Sequence, residues 1–262
     1  MGKIVEFNVI KYDGKCKKTM TESTICEYPL NIFVNGQHLT VLLCTPEKLE
    51  ALTVGFLAFQ GIIKSFHEIK SLKVDKENGI SKVLLKDDTF DSSLYLKQIL
   101  PDTFNNNKDM EFFSHIIDSL GINTITEDNV HIESEKIYDL MRRNLSYSEA
   151  FKATGGAHCA ALCDGNNIIC ICEDVARHNA VDKLIGESFI KKIPLRDKIL
   201  FVSSRVSFEM VFKIARFGVP IMISKSAPTD LSIRFAEALN VTLIGFVRGQ
   251  RMNIYTNPQR IK

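Results

Sequence analysis

Two apolar runs separated by a polar tetrapeptide form the clearest hydrophobic pattern in the chain, at 159–163 and 168–172. Each run is apolar at odd and even positions alike, which is typical of strands in the middle of a covered sheet. The tetrapeptide 164–167, Asp-Gly-Asn-Asn, contains residue types that tolerate positive φ and therefore predicts a hairpin turn. The stretch 154–183 is thus expected to form a strand, a turn, a second strand and the start of a helix.

Polar side chains gather at the ends of these two predicted strands. Thr154 and His158 stand at the start of the first strand, and a group of charged and amide side chains follows the second. The members of that group are Glu173, Asp174, Arg177, His178 and Asn179. Such crowding beside buried strands marks a candidate functional site.

The pattern becomes regular after residue 183. Strands predicted at 199–202, 219–223 and 241–247 alternate with helices predicted at 207–217 and 230–239. Strands that alternate with helices of this length predict right-handed crossovers in a sheet with a parallel portion. We expect both faces of that sheet to be covered.

The first half of the chain mixes strands and helices. Loose alternation predicts a strand within 1–18, and the Asn-Gly pair at 35–36 predicts a hairpin within 26–43. Thr45 is expected to be the N-cap of a buried helix that Gly61 ends. Further strands are predicted at 69–74, 82–85 and 95–100, a loop at 102–109, and helices at 112–120 and 132–150.

This organisation predicts an α/β protein whose N-terminal part is α+β. The boundary between two domains is expected around 121–131. We therefore predict an N-terminal α+β domain over 1–128 and a second domain over 129–262.

Composition narrows the class of protein. Of the 262 residues, 45% are hydrophobic and 24% are charged, which is typical of a soluble globular protein. The net charge of +2 gives no reason to expect nucleic-acid binding, so a ligand site must come from local clustering of charge. The sequence starts without the apolar segment of a secretion signal, and no apolar run is long enough to span a bilayer. We expect a cytoplasmic location, where the seven cysteines would be free thiols.

Cationic residues follow each of the three C-terminal strands. Arg205 comes after the first strand, Lys225 and Ser226 come after the second, and 248–251 (Arg-Gly-Gln-Arg) comes after the third. In open α/β sheets, ligands bind beyond the carboxyl ends of the strands, where helix N-termini favour anions. We therefore predict one cationic rim that binds a phosphate-bearing ligand, such as a nucleotide or its derivative. The alternative is that these are surface cations that only end strands.

Two further interpretations concern histidines and cysteines. His158 and His178 could act as a base or a metal ligand, although a histidine at a strand end is more often an ordinary hydrogen-bonded residue. The four cysteines between 159 and 172 could bind zinc. Their spacing matches no common zinc pattern, however, and buried cysteine behaves as a small apolar residue.

Several motifs together resemble the formate dehydrogenase accessory proteins of the FdhD/NarQ family. They are T-G-G-A-H at 154–158, E-D-V-A-R-H-N-A-V-D-K at 173–183, S-x-R-x-S-F-E-M at 203–210, S-A-P at 226–228 and G-F-V-R-G-Q-R-x-N-I-Y at 245–255. Upstream, E-Y-P-L-N-I-F-V-N-G at 27–36 and T-P-E-K-L-E-A-L-T-V-G-F-L at 45–57 fit the same family. The resemblance covers most of the chain and is weakest over 64–150.

This resemblance implies a fold, a cargo and partners. It implies that the C-terminal domain is a three-layer αβα sandwich similar to cytidine deaminases, with a mixed, partly parallel sheet. It implies that a homodimer transfers sulfur from a cysteine desulfurase to the molybdenum cofactor, before the cofactor is inserted into formate dehydrogenase. The segment 246–251 is then expected to contact the cargo, molybdenum bis(molybdopterin guanine dinucleotide). The predicted cofactor-binding residues are Phe246, Val247, Arg248, Gly249, Gln250, Arg251, Arg205, Lys225, Ser226 and His178.

One motif of the family is missing. Family members usually carry a C-G-x-C loop between the domains, whose thiolate holds a persulfide, and the best-fitting stretch here is S-L-G-I-N at 119–123. Leu120 and Asn123 then occupy the two cysteine positions, and neither side chain can carry sulfane sulfur, which needs a thiolate. No C-x-x-C occurs anywhere in the sequence. We therefore predict no catalytic residue.

Two hypotheses about sulfur stay open. Either another thiol carries it, with Cys16, Cys26 and Cys44 as candidates, or the chain binds and delivers the cofactor without sulfurating it. Two other classes of function compete with this one. A zinc deaminase needs the motifs H-x-E and P-C-x-x-C. His158 does not begin an H-x-E motif, and P-C-x-x-C does not occur in the sequence. An interaction module without a ligand predicts that guanine nucleotides leave thermal stability unchanged.

Overall fold

The computed structural model describes residues 2–92, 117, 121–126 and 129–262. The strands of this part are β1 (Ile4–Tyr12), β2 (Lys17–Ile25), β3 (Tyr28–Val34), β4 (Gln37–Cys44), β5 (Ile69–Asp75), β6 (Ile80–Leu85), β7 (His158–Cys163), β8 (Ile168–Asp174), β9 (Ile199–Val202), β10 (Ile221–Ser224), β11 (Thr242–Arg248) and β12 (Arg251–Thr256). The helices are α1 (Leu49–Gln60), α2 (Ser134–Tyr147), α3 (Glu149–Thr154), α4 (Arg177–Lys191), α5 (Phe208–Arg216) and α6 (Asp230–Ala238). The strand predicted at 95–100, the loop at 102–109 and nearly all of the helix at 112–120 lie outside the described residues.

The larger sheet has six strands in the order β12-β11-β10-β9-β7-β8. Strands β9, β10 and β11 are parallel, as the alternation of strands and helices predicted, and α5 and α6 connect them. Strand β7 runs antiparallel to both β9 and β8, and β12 runs antiparallel to β11. The sheet is therefore mixed and partly parallel, as predicted, with β12 as a strand that the sequence pattern did not reveal.

Helices cover both faces of this sheet. Alternate residues of one strand point to opposite faces, so Phe201 packs with α2 in one apolar cluster, while Leu200 and Val202 pack in the other. That other cluster contains the inner faces of α4, α5 and α6 and continues to α1 and the smaller sheet.

The smaller sheet has the order β4-β3-β6-β5, with β3 and β6 parallel. The hairpin predicted at Asn35-Gly36 joins β3 to β4, with φ of 47° and 82° at the two turn residues. Both values are positive, as a two-residue hairpin turn of this type requires. Strands β1 and β2 form a separate two-stranded sheet, so the predicted strand within 1–18 is the first half of a hairpin.

Helices α1 and α4 cross at a pair of glycines that lets their backbones touch. A Cβ atom added to Gly55 would lie 1.8 Å from the Asp182 carbonyl oxygen, and one added to Gly186 would lie 1.8 Å from the Ala51 carbonyl oxygen. Such distances are far below van der Waals contact, so only glycine fits at either position. This crossing joins the helix of the smaller sheet to the helix that follows β8.

Two predictions about element ends were wrong. Thr45 is not the N-cap of α1, which begins at Leu49 after Lys48 in the left-handed conformation, with φ of 51°. Thr45 instead accepts a hydrogen bond from the Val175 amide at its Oγ1, 2.9 Å away. The helix predicted over 132–150 is interrupted at Ser148, whose Oγ accepts from the Phe151 amide and so caps α3.

The prediction that both apolar strands lie inside the sheet was correct for β7 and wrong for β8. Strand β8 is the edge strand, and Ile169 is 36% exposed.

The division of the chain into two domains at 128/129 stays a prediction. In the described part of the chain, no helix is long and apolar enough to cross a membrane.

Gly55→Ala should destabilise the protein, because its methyl group would collide with the backbone of α4. Alanine normally favours a helix over glycine by about 1 kcal/mol. We expect instead a loss of about 2–3 kcal/mol in the free energy of unfolding, measured by urea denaturation. Gly2→Ala is the matched control, since a Cβ there meets no atom closer than 3.6 Å. Equal stability of the two variants would contradict the close crossing.

Candidate functional site

The three predicted cationic turns lie at one edge of the larger sheet. Strands β9, β10 and β11 are parallel, so Arg205, Lys225 and Arg248 follow or end them at the same carboxyl edge. Ligands of open α/β sheets bind at this edge. The common placement of the three cations predicted from the sequence is confirmed.

A hollow of about 720 Å³ opens at this edge, between the strand ends and α2. On the strand side, Lys225 and the turn 247–250 line it. On the helix side, the lining residues are Glu135, Tyr138, Asp139, Met141, Arg142 and Leu145. We call this space the carboxyl-edge hollow, and its volume is typical of a small-molecule site.

Backbone contacts fix the cations of the carboxyl-edge hollow. The Lys225 amide donates to the Val202 carbonyl oxygen at 3.1 Å, which ties the turn after β10 to the end of β9. The Arg248 Nε donates to the Lys225 carbonyl oxygen at 3.4 Å. Lys225 Nζ lies 5.8 Å from the centre of the Phe151 ring, within the range of a cation–π contact.

The turn from β11 to β12 presents backbone to the same hollow. Arg248 and Arg251 pair across it, which leaves Gly249 and Gln250 as the two turn residues. Gly249 has a φ of 58°, and a Cβ there would meet no heavy atom within 4 Å. The turn is therefore open to solvent on that side, and the conformation of Gly249 favours glycine.

The carboxyl-edge hollow carries both signs of charge, but its strand side is cationic. Asp139 is already paired with Arg142, at 2.6 Å, and with Arg143, at 3.6 Å. Within the described residues, neither Lys225 nor Arg248 has an acidic partner at ion-pair distance. These two cations are therefore available to an anionic ligand.

The structure brings together half of the ten predicted cofactor-binding residues in this hollow. Those that line it are Lys225, Val247, Arg248, Gly249 and Gln250. Those that do not line it are Phe246, Arg251, Arg205, Ser226 and His178. The α2 side of the hollow was missed from the sequence, because hydrophobic periodicity alone does not tell which strand ends a distant helix will cover.

His178 lies in the first turn of α4, with its Nε2 3.3 Å from the Glu209 carboxylate. Its Nδ1 is buried without a hydrogen-bond partner among the described residues. Burial, together with the positive charges of Lys213 and Arg177, lowers the pKa of His178 to about 4. The imidazole is therefore neutral at physiological pH, and its place is beside α5 rather than in the carboxyl-edge hollow.

Much of the polar cluster predicted at 173–183 is structural. Lys183 is fully buried, and its Nζ lies 2.6 Å from Asp174 Oδ2 and donates to the Thr45 carbonyl oxygen at 3.0 Å. Asp174 Oδ2 also accepts from the Thr45 amide at 3.0 Å. Asn179 donates to the Leu43 carbonyl oxygen at 2.8 Å. These side chains tie β8 and α4 to the end of β4.

All seven cysteines fall in the described part of the chain, and all are free thiols. Six are buried, and desolvation raises the pKa of Cys44 to about 12 and those of Cys159 and Cys170 to about 11. Cys16 is exposed in the β1–β2 turn, where its Sγ lies 3.4 Å from Asp13 Oδ2. Of the three thiols considered as sulfur carriers, only Cys16 is accessible.

Of the two positions aligned with the missing cysteine pair, one lies in the described part of the chain. Leu120 lies outside the described residues. Asn123 is exposed and lines a second hollow, distinct from the carboxyl-edge hollow. Among the residues with described positions, no three His, Cys, Asp or Glu side chains are grouped closely enough to hold a metal ion.

Comparison with known proteins gives a consistent result along the chain. The model of the FdhD/NarQ family matches residues 25–262. The sulfur carrier protein FdhD of Bacillus pumilus (strain SAFR-032) is 39% identical over 242 residues, which cover 92% of this chain and 91% of that protein. The protein of the same name from Bacillus subtilis (strain 168) is 36% identical, with coverage of 97% and 96%.

A solved structure has a similar fold. It is the crystal structure of a protein from Desulfotalea psychrophila described as a formate dehydrogenase accessory protein, and it covers 99% of both chains with a TM-score of 0.78. At 24% sequence identity, this similarity supports the mixed α/β fold and its mixed sheets, and nothing finer.

The low pKa of His178 predicts a pH-dependent stability. In the unfolded chain His178 has a pKa near 6.5, whereas in the folded protein its pKa is about 4. Between these values the unfolded state binds the proton more tightly, so the free energy of unfolding should fall as pH falls through this interval. His178→Asn should remove roughly 2 kcal/mol of this dependence, measured by urea denaturation at pH 7 and pH 4.5. Exposed His67→Asn is the control. A wild-type pH dependence that survives in His178→Asn would refute the assignment.

Proposed function

The chain belongs to the FdhD/NarQ family, and we propose that it is an accessory factor for formate dehydrogenase. In this proposal it binds the guanylated molybdenum cofactor, molybdenum bis(molybdopterin guanine dinucleotide), as cargo and supports its sulfuration and delivery. Its partners are a cysteine desulfurase and formate dehydrogenase, and it acts in the cytoplasm as a homodimer. The names of the similar proteins, sulfur carrier and formate dehydrogenase accessory protein, support this proposal.

The carboxyl-edge hollow is the observation that carries the binding proposal. Lys225 and Arg248 have no acidic partner in the described structure, and they stand on one wall of a space of about 720 Å³. The Arg248 guanidinium and the Lys225 ammonium, at strand ends that backbone contacts fix, match the pyrophosphate of a guanine dinucleotide. We assign the Gly249–Gln250 turn, which lines the hollow, to the same group.

The opposite wall suits the rings of the cargo. Met141 and Leu145 contribute apolar surface, and Tyr138 contributes an aromatic ring that can stack on a planar heterocycle. The N1 and N2 groups of guanine are hydrogen-bond donors, so Glu135 is a suitable acceptor. We therefore assign the phosphates to the strand side and a ring system to the α2 side.

The remaining predicted site residues extend this proposal beyond the hollow. Arg205 and Ser226 follow the neighbouring strands at the same edge, and Arg251 starts β12 beside the turn. Phe246 precedes the turn, with its ring 5.6 Å from the Arg248 guanidinium. We assign these residues, together with His178, to the second half of the bis-dinucleotide.

The proposal includes the two predicted domains. Residues 129–262 form the cofactor-binding domain, similar in fold to cytidine deaminases, and 1–128 form the α+β domain. Its support is the mixed sheet with helices on both faces, together with the placement of the carboxyl-edge hollow on that sheet.

The alternative version is a cofactor-binding family member without sulfurtransferase activity. A sulfur carrier needs a thiolate that solvent and a partner can reach. Six thiols are buried, and the Sγ of the seventh, Cys16, donates a hydrogen bond to Asp13 Oδ2. The thiols of this structure therefore favour binding and delivery without sulfur transfer by the chain itself.

Arg248→Ala should weaken binding of a guanine dinucleotide by about 10-fold or more, because it removes a charge-assisted hydrogen-bond donor to phosphate. Lys225→Ala should have a similar effect. Isothermal titration calorimetry of the full chain measures both. Lys73→Ala, on the exposed face of β5, removes an equal charge far from the hollow and should leave the affinity unchanged. Unchanged affinity in both site variants would place the ligand elsewhere, and no binding by the wild type would favour a module without a ligand.

Incubation with a cysteine desulfurase and cysteine should leave no transferable sulfur on the chain, because six of its seven thiols are buried and the Sγ of Cys16 is hydrogen-bonded to Asp13 Oδ2. Cyanolysis followed by thiocyanate detection measures the sulfane sulfur. Cys16→Ser provides the background and Cys26→Ser the matched control at a buried thiol. A yield of one sulfur per chain that is lost in Cys16→Ser and kept in Cys26→Ser would establish Cys16 as the carrier. It would also eliminate the version without sulfurtransferase activity.

A further inference from the structure

A second hollow, of about 520 Å³, lies at the opposite edge of the larger sheet. It is lined by the segment 121–126 together with Arg196, Ala215, Arg216 and Gly218. Arg196 precedes β9 in the chain, while Arg216 and Gly218 precede β10. We call this space the amino-edge hollow, because it lies where the parallel strands begin and the carboxyl-edge hollow lies where they end.

Two positive charges line the amino-edge hollow, the guanidinium groups of Arg196 and Arg216. Among the lining residues that the structure describes there is no aspartate or glutamate. Within the described structure, neither arginine has a hydrogen bond or an ion pair to an acidic side chain. Desolvation by the surrounding protein lowers the pKa of Arg216. A nearby anion would stabilise both groups.

Two glycines make room for these arginines. A Cβ atom added to Gly61 would lie 2.4 Å from a terminal nitrogen of Arg216. A Cβ atom added to Gly218 would lie 2.9 Å from Cγ of Arg196. Both glycines have positive φ, 75° and 73°, and they end α1 and α5. The helix ends therefore leave two gaps, and one arginine side chain lies in each gap.

The remaining wall is anchored to the same sheet edge. The Ile125 amide donates to the Leu239 carbonyl oxygen at 3.0 Å, and the Asn240 side chain donates to the Ile125 carbonyl oxygen at 2.6 Å. Ile122 and Ile125 are buried, whereas the polar side chains between and beside them are exposed. Those polar side chains are Asn123, Thr124 and Thr126. They add neutral hydrogen-bond donors next to the two guanidinium groups.

We propose that the amino-edge hollow binds the oxyanion group, phosphate or carboxylate, of a small molecule between Arg196 and Arg216. Guanidinium groups bind such oxyanions through paired N–H donors, and the threonine hydroxyls and the Asn123 amide complete the set. The hollow has room for more than one phosphate ion, so a small molecule that carries further groups beside the oxyanion fits. This site goes beyond the proposed function, because it lies at the other edge of the sheet from the predicted cargo.

Pyrophosphate and citrate serve as the two probes, one for phosphate and one for carboxylate chemistry. Calorimetric titration at low salt is carried out on full-length Arg248→Gln, in which the carboxyl-edge hollow is weakened. We expect one of the two probes to bind with a stoichiometry of one per chain. Adding Arg196→Gln and Arg216→Gln should weaken that binding by about 10-fold or more. Adding Lys11→Gln and Lys18→Gln instead removes the same charge from the distant β1–β2 hairpin and should leave the affinity unchanged.

Unchanged affinity after the two arginine substitutions would overturn the proposal, as would failure of Arg248→Gln to bind either probe. Loss of guanine-dinucleotide binding in Arg248→Gln tests the proposed function separately, so the two failures are distinguishable. A second measurement needs no variant. Phenylglyoxal should modify Arg196 and Arg216 of the wild-type protein several-fold more slowly in the presence of the bound probe, followed by peptide mass spectrometry. Equal modification rates with and without the probe would also refute the site.

Discussion

The backbone contact between α1 and α4 is the constraint on which the arrangement of the molecule depends. Gly55 and Gly186 have no side chain, so each helix can approach the carbonyl oxygens of the other. The apolar cluster around this crossing runs without a break from the smaller sheet to the larger one. Any side chain at these positions would separate the two sheets and the elements that each one carries.

Buried ion pairs complete that junction and explain why a polar motif lies inside the protein. Two ion pairs are almost completely buried, Lys183 with Asp174 and Lys213 with Asp182. Burial of a charge is costly unless it is paired and hydrogen-bonded, so each partner depends on the other. Lys183 also donates to two backbone carbonyls, which belong to Thr45 and Glu173. These four side chains are therefore not available to a ligand.

The two edges of the larger sheet present cations in different ways. At the carboxyl edge, Lys225 and Arg248 are held by strand ends and face a helix that carries acidic and apolar side chains. At the amino edge, Arg196 and Arg216 lie in gaps left by glycines and face neutral hydroxyls. We propose a ligand with both phosphates and rings for the first arrangement and a small molecule with an oxyanion group for the second.

Local pattern determined most of the described strands and helices, although not β12 or the break at Ser148. It also determined the common edge of Arg205, Lys225 and Arg248, because parallel strands joined by helices all end on the same side. The motifs of the chain also determined its family. Tertiary structure alone decided that Thr45 binds Val175 instead of capping α1, that β8 is an edge strand, and that α2 closes the carboxyl-edge hollow. Each of these outcomes depends on contacts between residues that are distant in the chain, and hydrophobic periodicity carries no information about such partners.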